Sequence, residues 1–498
     1  HIYFVYEDDL PLLFDEFNKI KSGEITEHSL HYRWLDRQHN PVWINCRGDV
    51  ILDEFNKPLY LIGCVNEIGK RQKADNISGL LREPSLEEYV SSKSKNNITG
   101  YFMQIGIDDF EEINGRFGLK CGDEILKQFS RCMQSCINEN QKIYELGNGR
   151  FIIMDLANHT KEDILELYDE LKKSVEVALE ESDYRIVYTI SVGIVEIDKE
   201  MKDYDTLIKY SEFALNEAKK KGKNSCYFFT QDKYKQFIRR REIRVGLQNA
   251  VDHNFNNFDV YYQPIIDIHT RNLIGAEALM RFKMKRNEQI EFVSPAEFIP
   301  ILEESGLIIP TGRWILRQAV ACCKKWQEFI PEFKVNVNLS YVQIIKSRIL
   351  DEIKQALKDY NLKPALLGIE VTESGYLENT YHYKKLWSSL KEEGITLVLD
   401  DYGTGYSNAY RLSNLTPHYI KIDRVLTQKA LSSNYERSIL IYIIEMAHSL
   451  RLNVCIEGVE TEEELQEIKK LNPDYIQGYL FGKPAPEDEF YNRQIKKK

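Results

Sequence analysis

The C-terminal half of the chain constrains the fold most. Eight short apolar runs follow one another at 260–265, 273–281, 334–339, 367–371, 396–400, 419–422, 453–456 and 475–480. Helix-like stretches at 310–329, 347–360, 383–393, 434–450 and 461–471 separate most of them. Apolar runs this short read as buried strands, and strands alternating with helices argue for a parallel sheet. Eight such strands in ~250 residues fit a (β/α)₈-type barrel. In a barrel the C-terminal strand ends converge on one mouth, where active sites are built.

The polar residues fall at that mouth. Glu277 lies in the second run, Asn338 ends the third and Glu370 the fourth. Asp400 and Asp401 end the fifth, Lys421 is on the sixth, Glu457 ends the seventh and Gln477 is on the eighth. Each alone has an ordinary explanation, such as a solvent-facing Glu or an Asp pair opening a glycine turn. Recurrence at one topological place does not. Converging carboxylates repel, and burying them unpaired costs several kcal/mol. A cation should hold them, and oxygen ligands without His or Cys suggest Mg²⁺ or Mn²⁺. Adjacent Asp400 and Asp401 could serve two ions, and ions ~3.5–4 Å apart are a device for phosphoester cleavage. Lys421 would orient water or stabilise the phosphorane, or simply pair with a neighbouring Asp.

Bulk properties narrow the partners. A chain of 498 residues suggests two to four domains. The net charge of −11 argues against a general nucleic-acid surface, so DNA binding is not expected. A small anionic substrate remains compatible, because a bound cation reverses the local field. Nine scattered cysteines lack Cys-x-x-Cys spacing and read as reduced thiols of a cytoplasmic protein. No apolar run approaches the ~20 residues that span a bilayer. The chain starts at His1, as a fragment or processed chain would, which leaves room for a membrane anchor upstream.

The motifs of residues 242–498 resemble the EAL phosphodiesterases throughout. They are Glu277-Ala278-Leu279 with Arg281, Asn336-Val337-Asn338, Glu370-Val371-Thr372-Glu373, Asp400-Asp401-Tyr402-Gly403-Thr404-Gly405, Lys421-Ile422-Asp423, Glu457-Gly458-Val459-Glu460 and Gln477-Gly478-Tyr479. The resemblance implies metal-dependent hydrolysis of cyclic di-GMP to linear pGpG. It implies that Glu277, Asn338, Glu370 and Asp400 bind one metal and Asp400 and Asp401 the second. Lys421 would be catalytic, and Glu457 would position the attacking water. Arg281 would contact a phosphate, with Gln263, Leu279 and Gln477 nearby. Glu373 would brace the loop after Asp400, and a homodimer is implied. Tyr402 departs from the family's usual Phe but keeps the ring.

Residues 75–230 resemble a GGDEF diguanylate cyclase domain whose carboxylates are lost. Asp108-Asp109-Phe110, Ile113-Asn114, Cys121-Gly122-Asp123 and Lys223-Asn224 match that family. The signature loop reads Gly147-Asn148-Gly149-Arg150-Phe151, with Gly149 and Arg150 at its acidic positions and Gly106 at the usual metal-binding Asp. Phosphoryl transfer from GTP needs cations at the triphosphate, so cyclase activity is not expected. Asn114 and Asp123 match guanine contacts, which allows GTP as a regulator; the alternative is a scaffold. Residues 1–70 resemble part of a PAS sensor domain: strands around Tyr32 and Trp34, at 42–46 and at 58–63, with connections near Asn40 and at 54–57. Residues 231–241 read as a helical connector, and Arg239-Arg240-Arg241 within it as a solvated face. The readings that compete with hydrolysis are a non-catalytic cyclic di-GMP receptor, a bifunctional enzyme, and a phosphodiesterase for a related nucleotide.

Overall fold

The structure is a computed structural model that describes residues 4–5, 9–35, 41–53, 57–67, 75, 77–93, 99–138, 140–156, 159–180, 186–198, 203–286, 289–372, 380–403 and 417–496. Its contacts divide the chain into two units, His1–Lys235 and Gln236–Lys498.

In the first unit, strands β1 (Glu27–Leu35), β2 (Pro41–Leu52) and β3 (Pro58–Glu67) form an antiparallel meander in that order. A helix at Leu10–Ser22 precedes them and was not foreseen. Its Leu10, Leu13, Phe17 and Ile20 repeat at three- and four-residue spacing. Buried Leu13 packs with Tyr32, Ile44 and Cys46, and Gly23 ends the helix in the left-handed region at φ 76°.

The second sheet of this unit holds β4 (Leu81–Arg82), β5 (Gly100–Ile107), β6 (Gln141–Gly147), β7 (Arg150–Asp155), β8 (Ile190–Ile197) and β9 (Cys226–Phe228), in the order β4-β6-β7-β5-β8-β9. Central strand β5 is buried on both faces. Its Tyr101, Met103, Ile105 and Ile107 enter one core with helices Leu119–Cys136 and Lys161–Glu180. The alternate residues face the other way, where Phe102 packs near Leu207 and Gln104 accepts a hydrogen bond from Ser211 on helix Tyr204–Lys220. Period-two alternation thus places Gly106 against that helix.

The second unit contains β10 (Phe258–Asp267), β11 (Leu273–Arg286), β12 (Gln289–Val293), β13 (Lys334–Asn338), β14 (Leu367–Thr372), β15 (Thr396–Tyr402), β16 (Tyr419–Ile422), β17 (Asn453–Glu457), β18 (Tyr475–Gln477) and β19 (Ala485–Pro486). Eight of them close a ring, β10-β11-β13-β14-β15-β16-β17-β18, because β10 pairs with both β11 and β18. Each of the eight apolar runs forms one ring strand. The sheet is not wholly parallel as expected: β10 runs antiparallel to both neighbours. No helix joins β10 to β11. The Asp267 carboxylate accepts from His269 N, Thr270 N and Thr270 Oγ1, closing a short turn. A connection this short joins only antiparallel strands. Helix Gln231–Asp252 carries the three arginines. Arg239 is not solvated: it binds Glu291 and Glu297, with 17% of its side chain exposed.

Candidate functional site

The parallel strands deliver their polar residues to one end of the barrel. Lys421 is buried on β16, and its Nζ lies 2.9 Å from Glu277, 3.1 Å from Glu370, 3.3 Å from Asp400 and 2.6 Å from Glu457. The Glu277 carboxylate also accepts from Asn338 at 2.7 Å and from Gln477 at 2.7 Å. Gln477 donates further to Gln263, which stands opposite Glu277 in the β10–β11 register. The reversed β10 thus still reaches the site.

Asp400 and Asp401 need a device to serve one site, since successive strand residues point to opposite faces. The β15–β16 register supplies it. Leu399 pairs with Ile420 and Tyr402 with Ile422, so the two aspartates sit in an irregularity. Asp401 adopts φ 55°, in the left-handed region. Carboxylate oxygens of Glu277, Glu370 and Asp400 come within 4.8 Å of one another, and so do those of Asp400, Asp401 and Glu457. Asp400 belongs to both groups.

The electrostatics show a shortage of cations. Burial alone would lower Lys421, yet Asp400, Glu277, Glu370 and Glu457 together hold it well above the usual lysine range. Burial pushes Glu277 up, but Lys421, Gln477 and Asn338 outweigh that and lower it. Burial raises Glu370 well above the carboxylate range, with Glu277 adding and Lys421 opposing. Burial, with Asp400 adding, pushes Glu457 to about 8 against Lys421. Asp401 rises to about 6 through burial and the charges of Asp400 and Asp423. One ammonium among five carboxylates leaves a deficit of positive charge that further cations would fill. Asp400 Oδ1 is buried and makes no hydrogen bond, though the ammonium is near. An all-oxygen set with such an atom fits a hard divalent ion.

Two cavities adjoin the cluster and share Leu279 and Asp400. The larger, about 610 Å³, is lined by Arg281, Asn338 and Asp401 among others. The smaller, about 280 Å³, is lined by Gln263, Glu277, Lys421, Glu457 and Gln477. Arg281 is half-buried, with its guanidinium 5.4 Å from the Tyr261 ring. Glu373 and the loop from Thr404 lie outside the described residues.

Sequence reasoning missed the layer beneath. Asn336, buried on β13, donates to Glu370 at 2.7 Å and also to the Tyr419 hydroxyl. Gly368 makes room for it: a Cβ there would lie 2.1 Å from Asn336 Oδ1. The signal was present, because Asn336, Gly368 and Tyr419 each stand two residues before Asn338, Glu370 and Lys421 on the same strand face.

The other candidate residues lie in the first unit. Asn148 and Gly149 both have positive φ between β6 and β7, a type I′ hairpin. A Cβ on Gly149 would meet the Phe110 ring at 2.8 Å. Beside Gly106 stands Lys219, whose Nζ lies 3.1 Å from where a Cβ would be. Arg150 pairs with Glu212, and Lys223 with Asp109 at 2.7 Å. Asp108 is tied by Thr189, Ser191 and Asn224 N. The Asn114 amide packs against Gly122, next to Asp123, and its Oδ1 is buried without a hydrogen bond.

Comparison with known proteins follows this division. The EAL domain model matches residues 244–484, and the diguanylate cyclase GGDEF domain model matches 73–225. The chain is 32% identical over 399 residues to signaling protein YkoW of Bacillus subtilis, covering 79% of this chain and 48% of that protein. It is 28% identical over 470 residues to cyclic di-GMP phosphodiesterase PdeR of Escherichia coli, covering 92% of this chain and 68% of that one. Among solved structures, the PaMucR phosphodiesterase in complex with c-di-GMP matches at 28% identity and TM-score 0.47, over 50% of this chain and 99% of that one. The chain spans about half the length of YkoW. Residues 73–225 are a GGDEF domain and residues 244–484 an EAL domain, in a chain whose relatives include cyclic di-GMP signalling proteins.

Proposed function

We propose that residues 242–498 hydrolyse cyclic di-GMP to linear pGpG with two divalent cations, Mg²⁺ or Mn²⁺. The observation that carries this reading is the pair of carboxylate groups that share Asp400 around Lys421. The names of PdeR and NbdA, both cyclic di-GMP phosphodiesterases, support it. Glu277, Asn338, Glu370 and Asp400 would hold one ion, and Asp400 with Asp401 the second. The ions would supply neutralisation of the phosphate and acidification of the attacking water. Lys421 keeps its proton and stabilises charge that develops on the phosphate oxygens. Glu457 positions the water. Arg281 takes a phosphate, and Gln263, Leu279 and Gln477 line the substrate's path. Glu373 braces the loop after Asp400.

The rest of the chain serves this reaction in the same reading. Residues 1–70 are a partial PAS-like sensor, 75–230 a GGDEF domain without cyclase activity, and 231–241 a connector. GTP would bind through Asn114 and Asp123 as a regulator, and the chain would act as a cytoplasmic homodimer. All nine cysteines are free, in keeping with a reducing compartment. Among the described residues, no helix is long and apolar enough to cross a membrane.

The test is incubation with cyclic di-GMP and Mg²⁺ or Mn²⁺, with pGpG followed by chromatography and EDTA as the blank. Metal-dependent product is expected. Tight binding with no product would overturn hydrolysis in favour of a receptor.

A further inference from the structure

A third cavity, of about 560 Å³, opens at the opposite end of the barrel. Lys334, Asn453 and Tyr475 line it, and each is the first residue of its strand. The last turn of helix Thr380–Glu392 adds Lys391, and the segments next to β16 and β17 add His418 and Arg451. Its floor is Asn336 and Tyr419. Because Asn336 also donates to Glu370, one layer of side chains separates this cavity from the carboxylate cluster. The two sites are distinct.

The lining is cationic. Among the described residues it holds two lysines and an arginine but no Asp or Glu. Among the described residues, Lys334 and Arg451 form no ion pair, in a chain whose net charge is −11. Arg451 adopts φ 61° in the turn after helix Asn434–Ser449. That position ordinarily takes Gly or Asn, so a larger side chain there is strained. Arg451 nevertheless stands there and lines the cavity. His418 Nδ1 accepts the Leu397 N–H at 2.9 Å, so the neutral ring carries its proton on Nε2. Burial, then the charges of Lys391 and Lys334, hold His418 below its usual range, in keeping with a positive field. The Tyr475 hydroxyl accepts from Asn453 at 3.0 Å and keeps its own proton to donate.

We propose that this cavity binds a small polyanion, a metabolite bearing phosphate or carboxylate groups. Lys334, Lys391 and Arg451 supply the charge, and His418 Nε2 and the Tyr475 hydroxyl donate hydrogen bonds. The volume is that of an ordinary small-ligand pocket. Clustered cations without carboxylates are built for oxyanions, which arginine grips with its forked donors. The site is independent of the hydrolysis proposed above.

Calorimetry on the whole chain, freed of metal by chelating resin and in a buffer without polyanions, tests it, with pyrophosphate as probe in one arm and citrate in the other. Saturable binding of at least one probe is expected, and the arm that binds tells phosphate from carboxylate. Arg451→Gly removes the guanidinium and suits the positive φ, so its fold is kept. It and Lys334→Ser should each weaken binding about tenfold or more. Glu277→Ala, at the other end, should leave binding unchanged. Binding of neither probe, affinity retained in either basic-residue variant, or loss in Glu277→Ala would each overturn the proposal.

Discussion

The barrel mouth gathers carboxylates, and the turn of the β6–β7 hairpin, Gly147–Arg150, has none. At the mouth, Glu277, Glu370, Asp400 and Glu457 crowd one buried lysine. At the hairpin, Gly149 lies against Phe110, Arg150 pairs with Glu212, and Lys219 stands beside Gly106. Handling phosphate with divalent ions needs carboxylates to recruit them. The mouth has them, and the hairpin has cations and glycines instead. The hairpin nevertheless folds, because Asn148 and Gly149 satisfy the turn and the alternation of β5 satisfies the two cores. In the proposed reading, fold and chemical competence rest on different residues.

The contrast can be broken in several ways. Glu277→Ala should lower turnover about 10³-fold and abolish metal binding, read by product formation and metal titration. Activity near wild type would remove Glu277 from the metal site. Lys421→Met leaves buried carboxylates uncompensated, and should lower stability in EDTA by about 3–5 kcal/mol in urea unfolding. Saturating divalent ion at about 100 times its Kd should add about 2.7 kcal/mol to the wild type and far less to Glu277→Ala. Gly149→Asp should destabilise by about 1–3 kcal/mol, because its φ of 69° is strained for a side chain and the Phe110 ring is in the way. Gly106→Asp meets Lys219 instead and should cost less in the same melt.

The smallest effect belongs to Asp75. Burial would raise its pKa, but Arg82 and the N–H groups of Ser78 and Ile77 bring it down to about 2. A depressed carboxylate contributes stability that is present above its unfolded value and lost as pH falls through the folded one. Arg82→Ala should therefore flatten the acid limb between about pH 4 and pH 2, and cost at most about 1 kcal/mol at pH 7, since Arg82 is 43% exposed.

Much of the barrel was legible because buried strands are continuous apolar runs, and their polar ends stand out against them. All of the mouth's carboxylates were visible in this way. The direction of β10 was not, because an apolar run has no polarity; only the short turn at Asp267 signals it. Nor was the joint service of Asp400 and Asp401, which depends on a register shift that alternation alone would forbid. Asn336 was noted in a motif but given no role, and Tyr419 was passed over, because an amide and a phenol inside a strand carry no charge to mark them, although their spacing from Asn338 and Lys421 did. The helix Leu10–Ser22 was hidden by the expectation of strands around it, against its own periodicity.

The most direct measurement gives the whole chain cyclic di-GMP and GTP together with Mn²⁺ and follows both by chromatography. Cyclic di-GMP should be consumed to pGpG while GTP yields no cyclic dinucleotide. Persistent cyclic di-GMP, or its formation from GTP, would contradict it.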